Sequence, residues 1–359
     1  MAEQTTMSDE ASRREMKDML ARYNCRVHQP DDPPLFSRMP VSATKTVHWR
    51  GKDLSILLDR LGQELSLDAG GQRRTLRLAN PGLNSGTTHT FWASIQVILP
   101  GEIATAHRHT ANAFRFIMKG NGATTNVNGE CYEMNEGDLV LTPSMMWHDH
   151  EYHGNRPMIW LDILDISLMQ SLHATFFENY SSPQQKVDAI ADRSFRQYGS
   201  GLLGPVNSQT QPEINPLFAY PSSLTMQALE QAKGLTPDPF DDVILAYKNP
   251  ATGGPVMRTL GMCMQILRPG MKGKARRHTG SKLYYIVKGK GITLINGQEY
   301  AWEAGDFLTI QPWAWYEHKN PFNQEALMFQ VNDFPTMEAT GYYFEEHHPQ
   351  GYQSQQPQH

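Results

Sequence analysis

The chain contains two copies of one sequence pattern, and this repeat limits the possible folds more than any other feature. The segment FRFIMKGNGATTNVNGECYEMNEGDLVLTP in the first half aligns with YYIVKGKGITLINGQEYAWEAGDFLTIQP in the second. Three landmarks recur at an offset of 168 or 169 residues: Gly120 with Gly289, Asn128-Gly129 with Asn296-Gly297, and Gly137 with Gly305. Three landmarks at one offset indicate two related domains.

Each copy is a series of short runs rich in β-branched and aromatic residues. Glycines and Asn-Gly pairs separate the runs, and Asn-Gly is typical of the tight turn between two antiparallel strands. Several such strands with alternating faces fit a double-sheet jelly roll whose interior can hold a ligand. We therefore predict an all-β protein with two double-stranded β-helix (jelly-roll) barrels.

Helical periodicity lies outside the two barrels. Apolar residues at helical spacing predict helices over 7–23, 53–66 and 224–233. The first two helices form an N-terminal arm that packs on its own chain or on a neighbouring subunit, so we expect a homo-oligomer, specifically a tetramer. The predicted parts are this N-terminal arm (1–70), the first barrel (71–180), a linker with a helix (181–245), the second barrel (246–345) and a polar, disordered tail (346–359).

Composition excludes several classes of function. The 359 residues are 39% hydrophobic, which suits sizeable cores. The net charge is −5 and the basic residues are scattered, which argues against a nucleic-acid or membrane-surface partner. Three cysteines fit no paired motif, so we expect no disulfide framework. No apolar run suits a signal core or a membrane span, and we expect a cytoplasmic protein.

The first barrel carries a histidine pattern that is typical of a metal site. His107 and His109 share one face of a strand, because side chains two positions apart in a strand point the same way. His148 follows at the end of another strand, and His150 shares its face. Imidazoles are good ligands for redox-active metals. We assign His107, His109 and His148 as ligands, and we leave His150 open as a further ligand, a pocket acid or base, or a partner of a ligand.

The spacing of glycines, Pro143 and histidines resembles the two metal motifs of the cupin superfamily. Cupins in general carry a glutamate ligand four or five residues after the second histidine, where this chain has Ala113 and Phe114. Three neutral ligands leave the full 2+ charge on a metal and up to three open positions. That arrangement suits an anionic substrate with dioxygen beside it.

The second copy departs from this motif. Arg276 stands where the first copy has His107. His318 corresponds to His150, since each lies 13 residues after the glycine of its motif, at 305 and 137. Because at least one ligand is missing, we predict that the second barrel binds no metal and is structural.

Four segments are similar to a narrower family. LANPGL (78–83), HRHTANAFRF (107–116), PSMMWHDH (143–150) and WLDILDI (160–166) resemble the gentisate 1,2-dioxygenase family of bicupins, which includes salicylate, 5-nitrosalicylate and 1-hydroxy-2-naphthoate dioxygenases. The resemblance implies Fe²⁺ on the three histidines and an aromatic 2-hydroxy acid bound through its carboxylate and ortho hydroxyl. It also implies that both atoms of dioxygen enter between the two ring carbons that bear these groups.

Several polar side chains are predicted to face the substrate. Arg115 shares strand parity with Ala113, so its guanidinium can point inward and bind a substrate carboxylate, or else form an internal salt bridge. His150 can exchange a proton with the substrate hydroxyl. The further predicted substrate-binding residues are the doublet Arg73 and Arg74, which the family resemblance implies, and Trp92, Ser94 and Gln96, which alternate toward one face of a strand. Asp162 and Asp165 follow on the next strand, where they either orient a ligand histidine or are ordinary surface acids, and we leave these two alternatives open.

The substrate stays open among gentisate, salicylate and substituted salicylates such as 5-nitrosalicylate, with 1-hydroxy-2-naphthoate as an alternative. Met145 replaces a glycine that is common in the second cupin motif, and Ser94 stands where relatives have a very small residue, so the pocket floor is expected to differ. A non-catalytic cupin that binds a small acid or serves as a storage protein is a second class, and a sugar isomerase or epimerase is a third. The intact histidines and the missing glutamate favour oxygen chemistry.

Overall fold

The computed structural model describes residues 2–28, Asp32, 34–64, 74–206 and 214–354, with side chains from Ala11 onward. Two compact units are present, Met1–Val41 and Ser42–His359. The smaller unit contains helix α1 (Ala2–Arg22), so the helix predicted over 7–23 is confirmed and begins earlier. In the described part of the chain, no helix combines the length and the apolar character that a membrane span requires.

The larger unit begins with a strand that pairs with the second barrel and a helix whose first residue is hydrogen-bonded to that barrel. Strand β1 (His48–Trp49) pairs antiparallel with the strand that contains Phe307. Helix α2 (Gly51–Glu64) follows directly, which confirms the helix predicted over 53–66 as far as the described residues reach. Within the described residues 42–64, the predicted N-terminal arm is therefore attached to a barrel, because the backbone of β1 completes a sheet edge.

The first barrel is an antiparallel double sheet. The elements of this barrel and of the segment after it are β2 (Thr75–Arg77), β3 (Trp92–Ile98), β4 (Ile103–His109), β5 (Ala113–Lys119), β6 (Ala123–Val127), β7 (Glu130–Met134), β8 (Leu139–Thr142), β9 (His148–Tyr152), β10 (Met158–Leu164), α3 (Ile166–Ser171), β11 (Phe177–Asn179), α4 (Arg193–Tyr198), β12 (Ala219–Tyr220) and α5 (Ser222–Ala232). The six-stranded sheet has the order β12-β8-β5-β10-β3-β2, and the five-stranded sheet has the order β11-β4-β9-β6-β7.

The second barrel repeats this arrangement. Its elements are β13 (Val243–Ala246), β14 (Gly261–Leu267), β15 (Arg276–His278), β16 (Lys282–Lys288), β17 (Lys290–Ile295), β18 (Gln298–Glu303), β19 (Phe307–Ile310), β20 (Tyr316–Lys319), β21 (Ala326–Asn332), α6 (Phe334–Ala339) and β22 (Glu345–His347). The sheets have the orders β1-β19-β16-β21-β14-β13 and β18-β17-β20-β15-β22. The prediction of an all-β chain with two double-stranded β-helix barrels is confirmed.

The two Asn-Gly pairs form the expected hairpin turns. Asn128 and Gly129 join β6 to β7 with φ of 49° and 84°, and Asn296 and Gly297 join β17 to β18 with φ of 48° and 83°. Two consecutive left-handed residues are what a two-residue hairpin turn requires. The repeat seen in the sequence is therefore a repeat of backbone geometry.

The two six-stranded sheets share one apolar core. Phe116 of β5 stacks on Phe329 of β21 with ring centroids 4.3 Å apart, and Tyr285 of β16 meets Phe116 edge to face. These residues belong to one buried cluster that draws on both barrels and on α2. Fully burying each such side chain contributes about 1.5–3 kcal/mol to the free energy of unfolding. The shared core therefore holds the two barrels together.

The described parts of the polar segments before and after the second barrel contain more regular structure than predicted. Residues 181–245 were expected to be a linker with one helix, but β12 within them extends the first barrel's sheet and β13 extends the second's. The prediction of a disordered tail was wrong for 346–354. There β22 pairs with β15, and the Gln353 side chain donates to the Leu294 carbonyl at 3.0 Å. Polar composition alone missed these edge hydrogen bonds, and 355–359 lie outside the described residues.

A buried carboxylate anchors the start of α2. Asp306 accepts hydrogen bonds from the Gly51 backbone N–H at 2.7 Å and from His48 Nε2 at 2.7 Å. Burial alone would raise the pKa of Asp306, but these hydrogen bonds hold it below the usual range. Gly51 has no room for a side chain, because a Cβ would lie 2.5 Å from the Gly305 carbonyl carbon.

We expect Asp306→Asn to lower the free energy of unfolding by about 1–3 kcal/mol at pH 7, the range for a disrupted buried hydrogen bond. Since the folded pKa lies below the unfolded value of about 3.9, the carboxylate stabilises the fold above that value and ceases to do so as pH falls through the folded pKa. Urea titrations at pH 7 and at pH 3 measure both effects. Asp59→Asn on the exposed side of α2 is the control, and equal losses in the two variants would contradict the prediction.

Candidate metal centre and cavity

Strands β4 and β9 bring three imidazoles together. His107 pairs with His148 across the two strands, and His109 lies two residues farther along β4. The His107 ring centroid is 4.3 Å from that of His148 and 5.5 Å from that of His109. One nitrogen from each ring lies within 4.8 Å of the others, and within the described ranges this is the single cluster of its kind that could hold a metal ion.

Each ring is oriented by a main-chain carbonyl two residues away. The Nδ1 atoms lie 2.8 Å from the Thr105 oxygen for His107, 2.8 Å from the Ala111 oxygen for His109, and 3.0 Å from the Met146 oxygen for His148. A carbonyl only accepts, so Nδ1 carries the proton in each ring and the Nε2 lone pair is left as the ligand. Three neutral nitrogen donors fit a divalent transition metal, whereas Mg²⁺ and Ca²⁺ prefer oxygen.

Met145 adopts the backbone conformation that favours glycine. Its φ is 60°, in the left-handed region, and its N–H donates to the His109 carbonyl at 2.8 Å. Trp313 occupies the same place in the second barrel, with φ of 63° and a 2.7 Å bond to the His278 carbonyl. The turn that glycine would make is therefore retained in both barrels.

The second barrel fills the equivalent place with fixed side chains. Arg276, His278 and Tyr316 stand where the first barrel has its three histidines, and Lys282 stands at the position of Ala113. The Tyr316 hydroxyl lies 2.7 Å from Lys282 Nζ, 2.9 Å from Arg276 Nε and 3.2 Å from His278 Nε2. Two cations thus occupy the region that a metal ion would need.

This cluster satisfies the hydrogen-bonding capacity of one hydroxyl. Burial, with help from Lys282 and Arg276, lowers the pKa of His278 well below its usual range, so the ring is neutral. Its Nδ1 lies 2.9 Å from the Gly280 carbonyl, which leaves Nε2 as an acceptor. Tyr316 then accepts from lysine and arginine and donates to His278. The arrangement supports the prediction of a metal-free second barrel.

A cavity of about 700 Å³ opens beside the three histidines. One wall is a row of paired residues across four strands, in which Arg77 lies opposite Ser94, Ser94 opposite Asp162, and Asp162 opposite Arg115. Residues paired across a sheet share a face, so the whole row faces the cavity. The rest of the lining combines the apolar side chains of Leu164, Ile166, Met169, Phe176 and Phe177 with Thr105, Thr110, Thr175 and Asn179.

Arg115 is buried and paired within the protein. Its Nε lies 3.1 Å from Asp162 Oδ1, and its Nη1 donates to Thr142 Oγ1 at 2.8 Å. Burial lowers the pKa of Arg115, and the Asp162 carboxylate opposes that shift. The internal salt bridge considered as the alternative for Arg115 is present, and the residue also lines the cavity.

Arg74 of the predicted arginine doublet does not line the cavity. Arg74 is buried and forms a two-pronged salt bridge with Glu102, at 2.8 and 2.9 Å, away from the cavity wall. The substrate role assigned to Arg74 is therefore wrong, because strand alternation turns Thr75 and Arg77 toward the cavity and Arg74 away from it. Arg73 lies outside the described residues. Arg77 was missed, although its parity with Thr75 could have identified it.

The β3 side chains that strand alternation predicted on one face do lie on one face of the cavity. Trp92, Ser94 and Gln96 all line the cavity. The Arg77 guanidinium lies over the Trp92 ring at 4.6 Å from its centroid, a cation–π contact. Phe177 stacks on His107 with centroids 5.2 Å apart, so a ligand imidazole is sheltered by an aromatic side chain.

His150 lies behind the metal centre. It is fully buried, with its ring centroid 6.2 Å from that of His148 and 5.6 Å from that of Trp160. It belongs neither to the ligand cluster nor to the cavity lining. Direct proton exchange between His150 and a substrate hydroxyl does not agree with this position, because His148 occupies the nearer place on the same strand face.

Comparisons with known proteins agree with this site. A family model described as a cupin domain matches residues 94–164 and again 263–332. The chain is 38% identical to a 5-aminosalicylate 1,2-dioxygenase of Comamonas sp, over 83% of this chain and 80% of that protein. It is 35% identical to a 1-hydroxy-2-naphthoate 1,2-dioxygenase of Nocardioides sp. (strain KP7), over 83% and 78%. Among solved structures, salicylate 1,2-dioxygenase from Pseudoaminobacter salicylatoxidans with gentisate superposes with a TM-score of 0.87, at 30% identity over 94% of both chains.

We predict one divalent metal ion per chain, measured by elemental analysis of the purified protein. His107→Ala, His109→Ala and His148→Ala should each lose it, because two imidazoles cannot hold the ion as three do. His150→Ala is the matched control and should keep it. Two ions per chain would contradict the metal-free second barrel, and loss of metal in the control would move His150 into the ligand set.

Proposed function

Because the chain belongs to the bicupin family of gentisate and salicylate 1,2-dioxygenases, we propose that it cleaves the ring of a 2-hydroxybenzoate with Fe²⁺ and dioxygen. Both oxygen atoms enter between the ring carbon that bears the carboxylate and the one that bears the hydroxyl. The product is a linear keto-diacid. The observation that carries this proposal is one cavity that combines three neutral imidazoles with a buried arginine.

The charge of the site selects an acid. Three imidazoles contribute no negative charge, so an ion bound there keeps its 2+ charge for an anionic substrate. When bound, Fe²⁺ supplies Lewis acidity and the electron-transfer capacity that the reaction of dioxygen with an aromatic ring requires. The apolar side chains of the lining exclude water from the ring, and the Trp92 face gives the ring a surface on which to lie.

Arg115 orients the substrate in this proposal. Its guanidinium has five N–H donors, of which one at Nη1 donates to Thr142, while Nε forms an ion pair with Asp162 at 3.1 Å. The others can hold a carboxylate in two-pronged fashion and so fix which bond of the ring faces the metal. Asp162 and Thr142 act as positioning residues, because they keep the planar fork at one angle.

Arg77 is a second cation for the substrate. It lines the cavity at the exposed end of the row that also contains Arg115, and its contact with Trp92 holds it over the ring site. We propose that Arg77 interacts with a substituent or with the outer edge of the substrate. A single benzene ring fits the roughly 700 Å³ cavity, and a naphthoate is the alternative substrate.

The best-supported substrates are salicylates with a substituent at position 5. The relative at 38% identity is a 5-aminosalicylate dioxygenase, and electron-donating amino or hydroxyl groups ease removal of electrons from the ring. We further propose that the protein acts in the cytoplasm as a homotetramer. The exposed apolar residues near the start of the chain, Leu35, Phe36 and Val41, are the surface that supports oligomerisation.

The enzyme should consume one molecule of dioxygen per molecule of substrate once loaded with Fe²⁺. Oxygen uptake is measured on salicylate, gentisate, 5-aminosalicylate, 5-nitrosalicylate and 1-hydroxy-2-naphthoate, and mass spectrometry after reaction in ¹⁸O₂ should find both labelled atoms in the product. His148→Ala is the inactive control. Tight binding of these acids without oxygen uptake would instead identify a non-catalytic acid-binding cupin.

Arg115→Met should lower kcat/KM for a 2-hydroxybenzoate. The corresponding loss of transition-state binding free energy should be about 2–4 kcal/mol, the scale for losing one partner of a buried charged contact. Inhibition by the neutral analogue 2-hydroxybenzamide should weaken far less, because the amide lacks the carboxylate charge.

Two further variants distinguish a loss of substrate binding from the effect of leaving the Asp162 carboxylate buried without its ion-pair partner. Arg115→Met combined with Asp162→Asn removes the internal pair as a whole and should keep the loss. Arg74→Met breaks a buried pair of the same kind outside the cavity and should leave kcat/KM nearly unchanged. Recovery of activity in the double variant would reduce Arg115 to a structural residue.

A further inference from the structure

Asp165 is a buried junction between the two barrels. It follows β10 and is inaccessible to solvent. Its Oδ1 accepts the Asn112 backbone N–H at 2.8 Å, and its Oδ2 accepts the Asn112 side-chain amide at 2.9 Å and the Thr259 hydroxyl at 2.6 Å. Asn112 belongs to the first barrel and Thr259 to the segment before β14 of the second. A buried carboxylate is stable only when such donors surround it.

The same junction reaches both loops that carry metal ligands. Asn112 follows Ala111, whose carbonyl oxygen orients His109, and the Asn112 side-chain oxygen accepts the Ser144 N–H at 3.1 Å. Ser144 opens the turn in which the Met146 oxygen orients His148. Two of the three carbonyls that orient the imidazoles are therefore held in place through one residue, Asn112, and Asp165 accepts hydrogen bonds from both its backbone N–H and its side-chain amide.

The second barrel has the matching junction without a metal. Asp333 follows β21 and accepts the Ser281 N–H at 2.8 Å and the Thr90 hydroxyl of the first barrel at 2.6 Å. Each barrel thus receives one threonine hydroxyl from the other. The two contacts have the same length and chemistry, but only the Thr259 contact leads to metal ligands.

We propose that Thr259 and Asp165 are positioning residues for the metal centre, and that through Asn112 the metal-free barrel sets the orientation of His109 and His148. This inference rests on the proposed metal site and deepens it. The second barrel then does more than stabilise its neighbour, since its hydroxyl completes the hydrogen bonds that fix the angle at which two ligand lone pairs meet the ion.

The test measures metal retention rather than turnover. The full-length protein is loaded with Co²⁺, and the rate at which a chelator removes the ion is followed through its visible ligand-field absorption. Thr259→Val removes the hydroxyl while preserving size and should speed release about tenfold, the lower end of the range for partners of metal ligands. Its absorption band should shift as the ligand angles change. Thr259→Ser retains the hydroxyl and should restore both properties.

Thr90→Val is the matched control, because it deletes the equivalent hydroxyl at the equivalent junction. It should cost similar thermal stability and leave the Co²⁺ release rate and spectrum as in the wild type. Equal release rates in Thr259→Val and Thr90→Val would overturn the positioning role. Failure of the wild-type protein to bind Co²⁺ at all would instead overturn the proposed metal site, so the two failures are distinguishable.

Discussion

The active site depends on the hydrogen bond from each imidazole Nδ1 to a main-chain carbonyl two residues away. This bond fixes the tautomer and the ring angle, so three Nε2 lone pairs converge before any metal arrives. It can form only if the backbone beside each histidine has a definite shape. The left-handed turn at Met145, the loop that contains Asn112 and the edge of β4 provide that shape, and the rest of the barrel holds these segments in register.

The two barrels share one scaffold but satisfy their central polar groups in two different ways. A barrel with polar groups at its centre must satisfy them, because an unpaired buried polar group costs about 1–3 kcal/mol. The first barrel presents three nitrogen lone pairs to an ion. The second replaces that ion with the ammonium of Lys282 and satisfies Tyr316 from three sides. Asp241, which pairs with Arg276, balances part of the added charge.

Local patterns in the sequence predicted the parts of the site that depend on strand alternation. The spacing of His107 and His109, and the alternation of Trp92, Ser94 and Gln96, follow from a side-chain period of two and appear as such in the structure. The same rule selects Arg77 over Arg74, because Arg77 shares the parity of Thr75 and Arg74 does not. Asp165 could not be assigned, because its partner Thr259 is 94 residues away in another barrel and only the packing of the barrels brings them together. The ordered tail was missed for the same reason.

The row of paired residues from Arg77 to Arg115 shows how the buried Arg115 guanidinium stays paired when no anionic ligand is bound. Asp162 neutralises Arg115 within the protein, so this pair exerts little net attraction on a distant acid. In the proposed function, attraction would come from the 2+ charge of the ion and from Arg77 at the exposed end of the row. In the proposed reaction, the remaining donors of Arg115 would set the orientation of the bound acid, since a planar fork matches a carboxylate in one plane. In this proposal, attraction of the substrate and its alignment are therefore assigned to different residues, and the ion pair with Asp162 would allow this separation because it keeps Arg115 both paired and fixed.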